Sequence, residues 1–440
     1  LSTTASFDYV DGSLHAEGVD LDRIAAEVGT PAYIYSGAAI DRAYREIDEA
    51  LSWGPHAIAY AVKANSNLAI LARLRDLGAG ADIVSGGELA RCLEAGIAPE
   101  RIVFSGVGKR DGEIEAALKA AIRSIHVESA QEIDAIDAIA RRLGVAAPIS
   151  LRINPDVDPK THPYIATGLH HTKFGLEVDV AEALLPRILA SEHLVLEGVT
   201  CHIGSQIGEA ASLREGVAIT ARFAVNCRRA GAPIRSLDAG GGWPIGYGHE
   251  TDAFPSPALF GEALRAGLIE GGAAELGLEI LVEPGRALVG DAGLLLTRVI
   301  FVKDQPYRPE AVAGAPEGGV AKRFVIVDAS MSELIRPALY QAHHAMLPVA
   351  APAEDAPRAH VDVVGPVCES GDFLAKDRAL APVVRGDLLA IMSAGAYGMV
   401  MASNYNSRPR PAEVLVDGRS YRVVRARETM ADLMRGESRG

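Results

Sequence analysis

Lys63 closes an alternating stretch, AIAYAVKANSN, that runs from Ala57 to Asn67. Read as a strand, it sends Ile58, Tyr60 and Val62 to one face and Ala57, Ala59, Ala61 and Lys63 to the other. The bulky face suits packing against helices. The opposite face is lined with alanines and ends in one ammonium, with room beside it for a group that is not protein. Two readings stand. Lys63 forms a Schiff base, with pyridoxal phosphate as the carbonyl partner, or it is a solvated lysine at a strand end. Other chemistry-bearing residues follow far along the chain. His202, in CHIGSQ, offers a flat imidazole to an aromatic ring, or is a hydrogen-bonded core histidine. Gly240-Gly241-Gly242 presents backbone N–H groups to a phosphate, to which Ser205 offers a hydroxyl, or it makes a tight turn. Glu283, followed by Pro284-Gly285-Arg286, offers a carboxylate that keeps a pyridine nitrogen protonated and strengthens the ring as an electron sink. Its alternative partner is Arg286, although the Pro284-Gly285 turn breaks the helical geometry of such a pair.

A last cluster comprises SMSELIRPALY (330–340), GPVCESGD (365–372) and AGAYGM (394–399). The cluster, soon followed by SNYNSRPRP, carries arginines, the residue suited to gripping carboxylates through paired hydrogen bonds. Cys368 beside Glu369, in a loop bounded by glycine and proline, is either a functional pair or a surface loop with an incidental thiol.

The elements that must position these residues have a rhythm. Short runs rich in β-branched residues occur at 57–63, 81–85, 101–105, 124–128, 148–154, 196–204, 234–240 and 278–285. Helical segments between them include 68–77, 87–95, 112–121, 130–143 and 179–190. Eight strands alternating with helices predict a (β/α)8 barrel. A doubly wound open sheet is the alternative, but its GxGxxG turn is missing after the first strand. In a barrel, active sites lie at the C-terminal ends of the strands, where Lys63, His202, the triple glycine and Glu283 all fall. Beyond residue 285 helical periodicity fades. Strand-like runs take over at 294–302, 323–327, 361–364, 387–392, 413–416 and 421–425, joined by proline- and alanine-rich connections at 314–319 and 349–357. The expected domains are a barrel over 30–285 and a mostly β domain, a β-barrel or sandwich, from 1–29 and 286–440. A short helix at 21–28, a strand at PAYIYS and a helix at 38–51 precede the rhythm.

Composition narrows the function. A chain of 440 residues is too long for one ordinary core. Its net charge of −14 and pI of about 5.4 argue against a nucleic-acid surface. No apolar run approaches the roughly 20 residues of a membrane span. The opening LSTTASFDYVDG has no basic segment followed by an apolar core, so no signal peptide is expected. Four cysteines (Cys92, Cys201, Cys227, Cys368) without close pairing suit a reducing cytoplasm. Neither they nor the histidines show metal-ligand spacing, so no metal is expected.

Taken together, YAVKAN, VSGGE, FSGVGK, HIGSQ, GGG, EPGR, IRPALY, GPVCESGD and AGAYG resemble, in order and over most of the chain, the diaminopimelate decarboxylase family. These are pyridoxal-phosphate enzymes of the alanine-racemase-like fold group and of the class-II ornithine/lysine/arginine decarboxylases. The resemblance implies removal of CO2 from meso-2,6-diaminopimelate to give L-lysine, the last step of lysine biosynthesis. It implies that Lys63 bonds the cofactor and His202 stacks on its ring. Ser205 and Gly240, Gly241 and Gly242 cradle the phosphate, with Glu283, Pro284, Gly285 and Arg286 completing the cofactor site. By the same resemblance, Arg286, Arg336 and Tyr340 hold the substrate's distal carboxylate, and Glu369 its distal ammonium. Cys368 donates the proton, and Tyr397 touches both cofactor and substrate. The GPVCESGD loop reaches the other subunit's site, which implies a homodimer with shared active sites. Two stretches depart from the family pattern and bear on loop shape and substrate access: Trp243-Pro244-Ile245, and the histidine pair in GLHHTKFG. Rival readings are a decarboxylase of the same fold acting on carboxynorspermidine, arginine or ornithine, an amino-acid racemase, and a non-catalytic protein regulating cofactor supply. Arginine grips argue against ornithine-type substrates. Glu283 argues against a racemase, whose ring nitrogen meets an arginine. The β domain argues against the regulator.

Overall fold

The structure is a computed structural model that describes residues 6–158, 173–250, 253–305 and 322–439. Most of GLHHTKFG and the 314–319 connection lie outside the described residues. The chain divides into two compact units. One holds residues 41–245 and 252–288; the other holds 1–40, 246–251 and 289–440.

The first unit is a closed barrel of eight parallel strands. In chain order they are His56–Ala61, Gly80–Ile83, Ile102–Phe104, Ser124–Val127, Ala147–Arg152, Leu194–Thr200, Ser236–Asp238 and Glu279–Val282. The ring closes where the eighth strand pairs with the first, Leu281 opposite Ala57. Each strand overlaps one run picked out by the sequence pattern, and four of them begin one or two residues before it. Helices Leu68–Leu77, Gly86–Glu94, Asp111–Ala120, Ala130–Leu143 and Val178–Ala190 fall where periodicity placed them, within one residue. Their ends have chemical causes. Ser85 and Ser129 accept hydrogen bonds from the backbone of Glu88 and Glu132, whose carboxylates reach back to Val84 and Glu128. Gly78 and Gly144 end their helices in the left-handed conformation. Two further helices, Ala210–Arg229 and Pro257–Glu270, complete the ring.

The first strand is shorter than its alternation suggested. It stops at Ala61, and Val62–Ala64 form a 3-10 turn, so Lys63 is aimed by a turn rather than by the pleat. Ile58, Tyr60 and Val62 are buried on the helix side. Ala59 packs with Val103 and Leu281 inside the barrel, with Ala57 at the edge of that cluster. Ala61 and Ala64 are small for a second reason. A Cβ on Gly285 would lie 3.1 Å and 3.0 Å from their methyl groups.

The second unit carries a nine-stranded sheet. Its spine is the long strand Gly293–Gln305, which pairs with Lys322–Val327, Leu388–Ile391 and Ala32–Ser36. The strand PAYIYS, assigned by sequence pattern to the barrel domain, belongs here. It lies between Gly293–Gln305 and Ala412–Asp417. Hydrogen bonding decides its membership, and the first boundary falls after residue 40 rather than 29. Phe373–Leu380, which pairs with Ala359–Val364, and the small sheet of Phe7–Val10, Ser13–Ala16 and Val19–Asp20 carry no clear strand signal. Phe7, Leu14, Leu21, Ile34, Leu294, Leu296, Leu347 and Val414 form the core beneath this sheet. Among the described residues no helix is long and apolar enough to cross a membrane.

The helix Pro257–Glu270 meets the end of Gly37–Ala50 through Gly261, where a Cβ would collide with the Ala50 carbonyl. Gly261→Ala should therefore destabilise the barrel unit by about 1–3 kcal/mol in urea unfolding. Wild-type stability in that variant would contradict the close approach.

Candidate active site

The C-terminal rim of the barrel gathers charged groups from six strands. Lys63 follows the first strand, Asp82 lies in the second, His126 in the fourth and Arg152 ends the fifth. Asp238 ends the seventh, and Glu283 follows the eighth. Lys63 Nζ donates to Asp82 Oδ2 at 2.7 Å, and Asp82 is fully buried. A buried carboxylate with one such partner depends on it; removing the partner of a buried pair costs about 3–5 kcal/mol.

Glu283 turns inward, and Arg286 does not join it. Glu283 Oε1 lies 3.5 Å from His126 Nδ1 and accepts from Ser105 Oγ at 3.4 Å. His126 Nε2 lies 3.9 Å from Asp238 Oδ2. Burial, then the neighbouring Asp238 and Asp82 charges, push the Glu283 carboxyl well above its usual range. Burial likewise pushes Asp238 up to about 6. Burial, then the charges of Lys109 and Arg152, hold His126 neutral. Glu283 is thereby biased towards its protonated form.

His202, just past the sixth strand, is half-buried. Its Nδ1 accepts the Gly241 N–H at 3.0 Å, and desolvation keeps the ring neutral. The glycines are dictated by packing. Gly240 and Gly242 have φ of 69° and 96°, and a Cβ on Gly240, Gly241 or Gly242 would lie 2.5 Å from the carbonyl of Cys201, Glu283 or Gly204 respectively. Two of their N–H groups are already committed: Gly240 donates to Asp238 Oδ1 at 2.8 Å, and Gly241 to His202. The presentation of all three amides to a phosphate, expected from sequence, is therefore reduced. Anion-binding capacity lies beside the loop, where Arg286 Nη2 donates to Ser205 Oγ at 3.1 Å. The departing Trp243-Pro244-Ile245 segment is anchored: Trp243 packs on Phe260, and Gln206 bonds both backbone groups of Ile245.

The donor set fits pyridoxal phosphate. Asp238 Oδ2 and Asp82 Oδ1 are buried acceptors with no hydrogen-bond partner, and they lie near a carboxyl that can give up a proton. A ring nitrogen needs such surroundings. His126, Asp238 and Glu283 also bring ligand atoms within 4.8 Å of one another, the spacing of a metal set; sequence spacing could not reveal it, since they come from three strands.

Arg336, Tyr340, Cys368, Glu369 and Tyr397 belong to the second unit. Arg336 is buried at the start of Arg336–Tyr340, and Tyr340 is half-buried. Cys368 and Glu369 are exposed; the Cys368 N–H donates to Asn406 Oδ1 at 3.1 Å, and Tyr405 Oη to Glu369 Oε2 at 3.4 Å. Tyr397 is held at φ 55°, a conformation that bulky side chains rarely adopt.

A barrel whose rim combines a lysine, a buried carboxyl with a raised pKa and a glycine loop fits a lysine-dependent enzyme for a carbonyl cofactor. The family model for the pyridoxal binding domain of pyridoxal-dependent decarboxylases matches residues 37–290. The diaminopimelate decarboxylase of Pseudomonas aeruginosa is 48% identical, with 98% of this chain and 99% of that protein covered. That of Aquifex aeolicus is 44% identical, with 96% and 94% covered. The diaminopimelate decarboxylase of Helicobacter pylori complexed with L-lysine superposes with a TM-score of 0.86 at 41% identity, covering 94% of this chain and 98% of that one. The chain belongs to the diaminopimelate decarboxylase family.

In the folded chain Asp238 keeps its proton up to about pH 6, whereas an ordinary aspartate releases it near 3.8. The folded state then binds more protons than the unfolded state between these values, so this residue's contribution to stability falls as pH rises through that window. Asp238→Asn removes the slope and still accepts the Gly240 N–H. The cofactor-free variant should gain about 1–2 kcal/mol on wild type between about pH 5 and about pH 7.5 in urea unfolding. An equal difference at both pH values would contradict the raised pKa.

Proposed function

We propose that the chain is a pyridoxal-phosphate-dependent carboxy-lyase that converts meso-2,6-diaminopimelate to L-lysine and CO2. The observation that carries this reading is that Lys63 and Glu283, from the first and last barrel positions, converge on the buried carboxyl groups Asp82 and Asp238 at one rim. In this reading Lys63 bonds the cofactor's aldehyde carbon, and Asp82 keeps its amine oriented. Pyridoxal phosphate, when bound, takes up the electron pair left as the carboxylate departs. Glu283 would hold the ring nitrogen in its protonated form. Neutral His202 offers a flat face to the ring. Ser205, Arg286 and the Gly240–Gly242 loop hold the phosphate, a role supported for Arg286 by its bond to Ser205.

Arg336 and Tyr340 take the far carboxylate of the substrate, and Glu369 the far ammonium. Cys368 gives a proton to the α-carbon, and Tyr397 contacts cofactor and substrate. Cys368 and Glu369 are exposed on the single chain, which accords with a homodimer in which this loop completes the partner's site. The unpaired cysteines accord with a cytoplasmic enzyme.

The test is incubation of the holoenzyme with meso-diaminopimelate, ornithine, arginine and carboxynorspermidine. CO2 and lysine should form from the first alone; turnover of another substrate in its place would overturn the assignment. Lys63→Ala should abolish turnover and the absorbance of covalently held cofactor. Cys368→Ala should keep that absorbance and lose about 10²-fold or more in turnover.

A further inference from the structure

The buried guanidinium of Arg336 has two uncharged side chains among its partners. Nη1 lies 3.0 Å from His344 Nε2, and the group sits 4.9 Å over the ring of Tyr247. His344 is fully buried, and its Nδ1 lies 2.8 Å from the Met392 carbonyl oxygen. A carbonyl only accepts, so Nδ1 carries the ring proton and Nε2 presents a lone pair. Arg336 therefore donates to a neutral imidazole whose orientation is set by the backbone. Tyr247 meets the His344 ring edge-on at 5.3 Å and 85°. The three side chains each touch the other two. A neutral imidazole orients the arginine without adding a counter-charge of its own. A carboxylate in the place of His344 would fix it as well and cancel its attraction for an anionic ligand.

We propose that His344 is a positioning residue: its neutral imidazole aims Arg336 at the far carboxylate of the substrate and so sets the preference for substrates that carry one. This rests on the reading of Arg336 given above. Rigid aiming matters because a guanidinium binds a carboxylate strongly only in the paired, coplanar geometry. A freely rotating arginine would also accept far ends that lack the carboxylate.

The test uses the holoenzyme and three ligands: meso-diaminopimelate as substrate, L-lysine as an inhibitor that keeps the far carboxylate, and cadaverine as one that lacks it. His344→Asn keeps a donor for Met392 and loses the acceptor for Arg336. His344→Gln places an amide oxygen where Nε2 lies. The Asn variant should raise KM and the L-lysine inhibition constant by about tenfold or more, with kcat and cadaverine inhibition within about threefold of wild type. The Gln variant should recover most of the loss. Wild-type KM in the Asn variant overturns the proposal, as does an equal loss for all three ligands in both variants. Arg336→Met, measured alongside, separates the two readings. If it leaves L-lysine inhibition intact, the role of Arg336 falls; if it abolishes that inhibition while the Asn variant is normal, only the role of His344 falls. Should the Asn variant not fold, the Gln variant decides: inhibition by L-lysine within about threefold of wild type supports the proposal, and a loss equal to that of Arg336→Met overturns it.

Discussion

Three carboxyl groups, Asp82, Asp238 and Glu283, are buried at one end of a closed barrel, with the Lys63 ammonium beside them. Such a concentration of like charge out of water is unfavourable unless protons or cations offset it. The structure resolves the conflict by division of labour. Asp82 stays paired with Lys63. Asp238 and Glu283 are pushed towards their protonated forms. Asp238 also ties the charge cluster to the glycine loop through the Gly240 N–H. The loop shape and the protonation state of the site are therefore one problem, solved by one residue.

The other side of the rim is braced by a satisfied polar network. Lys109 Nζ, almost wholly buried, donates to the carbonyls of Gly106 and His126 and to Glu132. Glu128 accepts from Gly106, Gly175 and Arg152. These donors and acceptors are complementary and tie the third to fifth strand ends together, holding His126 at its backbone while its ring faces Glu283. Gly106 and Lys109 of FSGVGK, with Glu128 and Glu132, supply this frame.

The barrel was legible because each strand is a compact apolar run and four of the five helices assigned from periodicity have a serine, asparagine or glycine at an end; Asp111–Ala120 lies between Arg110 and Ala121 instead. Two helices went unassigned. Ala210–Arg229 and Pro257–Glu270 pack through alanines and glycines rather than a clear apolar stripe, which blurs their periodicity. PAYIYS was misplaced because local sequence marks a strand but not its neighbours, and its pairing joins residues hundreds of positions apart. At the site, four rim features were readable from residue type alone. Asp82, Ser105, His126 and Asp238 were not, although each lies within a strand run already identified. Inspecting every polar residue inside those runs would have found them. The engagement of the Gly240 and Gly241 amides could not have been read, since it depends on where Asp238 and His202 turn.

The central claim is that Lys63, aimed by the turn after the first strand and held by Asp82, is the amine that carries the cofactor. Borohydride reduction of the holoenzyme, followed by proteolysis and mass mapping, tests it most directly. The account predicts a stable phosphopyridoxyl group on the peptide that contains Lys63, lost when diaminopimelate is added before reduction. The label on Lys109 or another lysine, or no label at all, would contradict it.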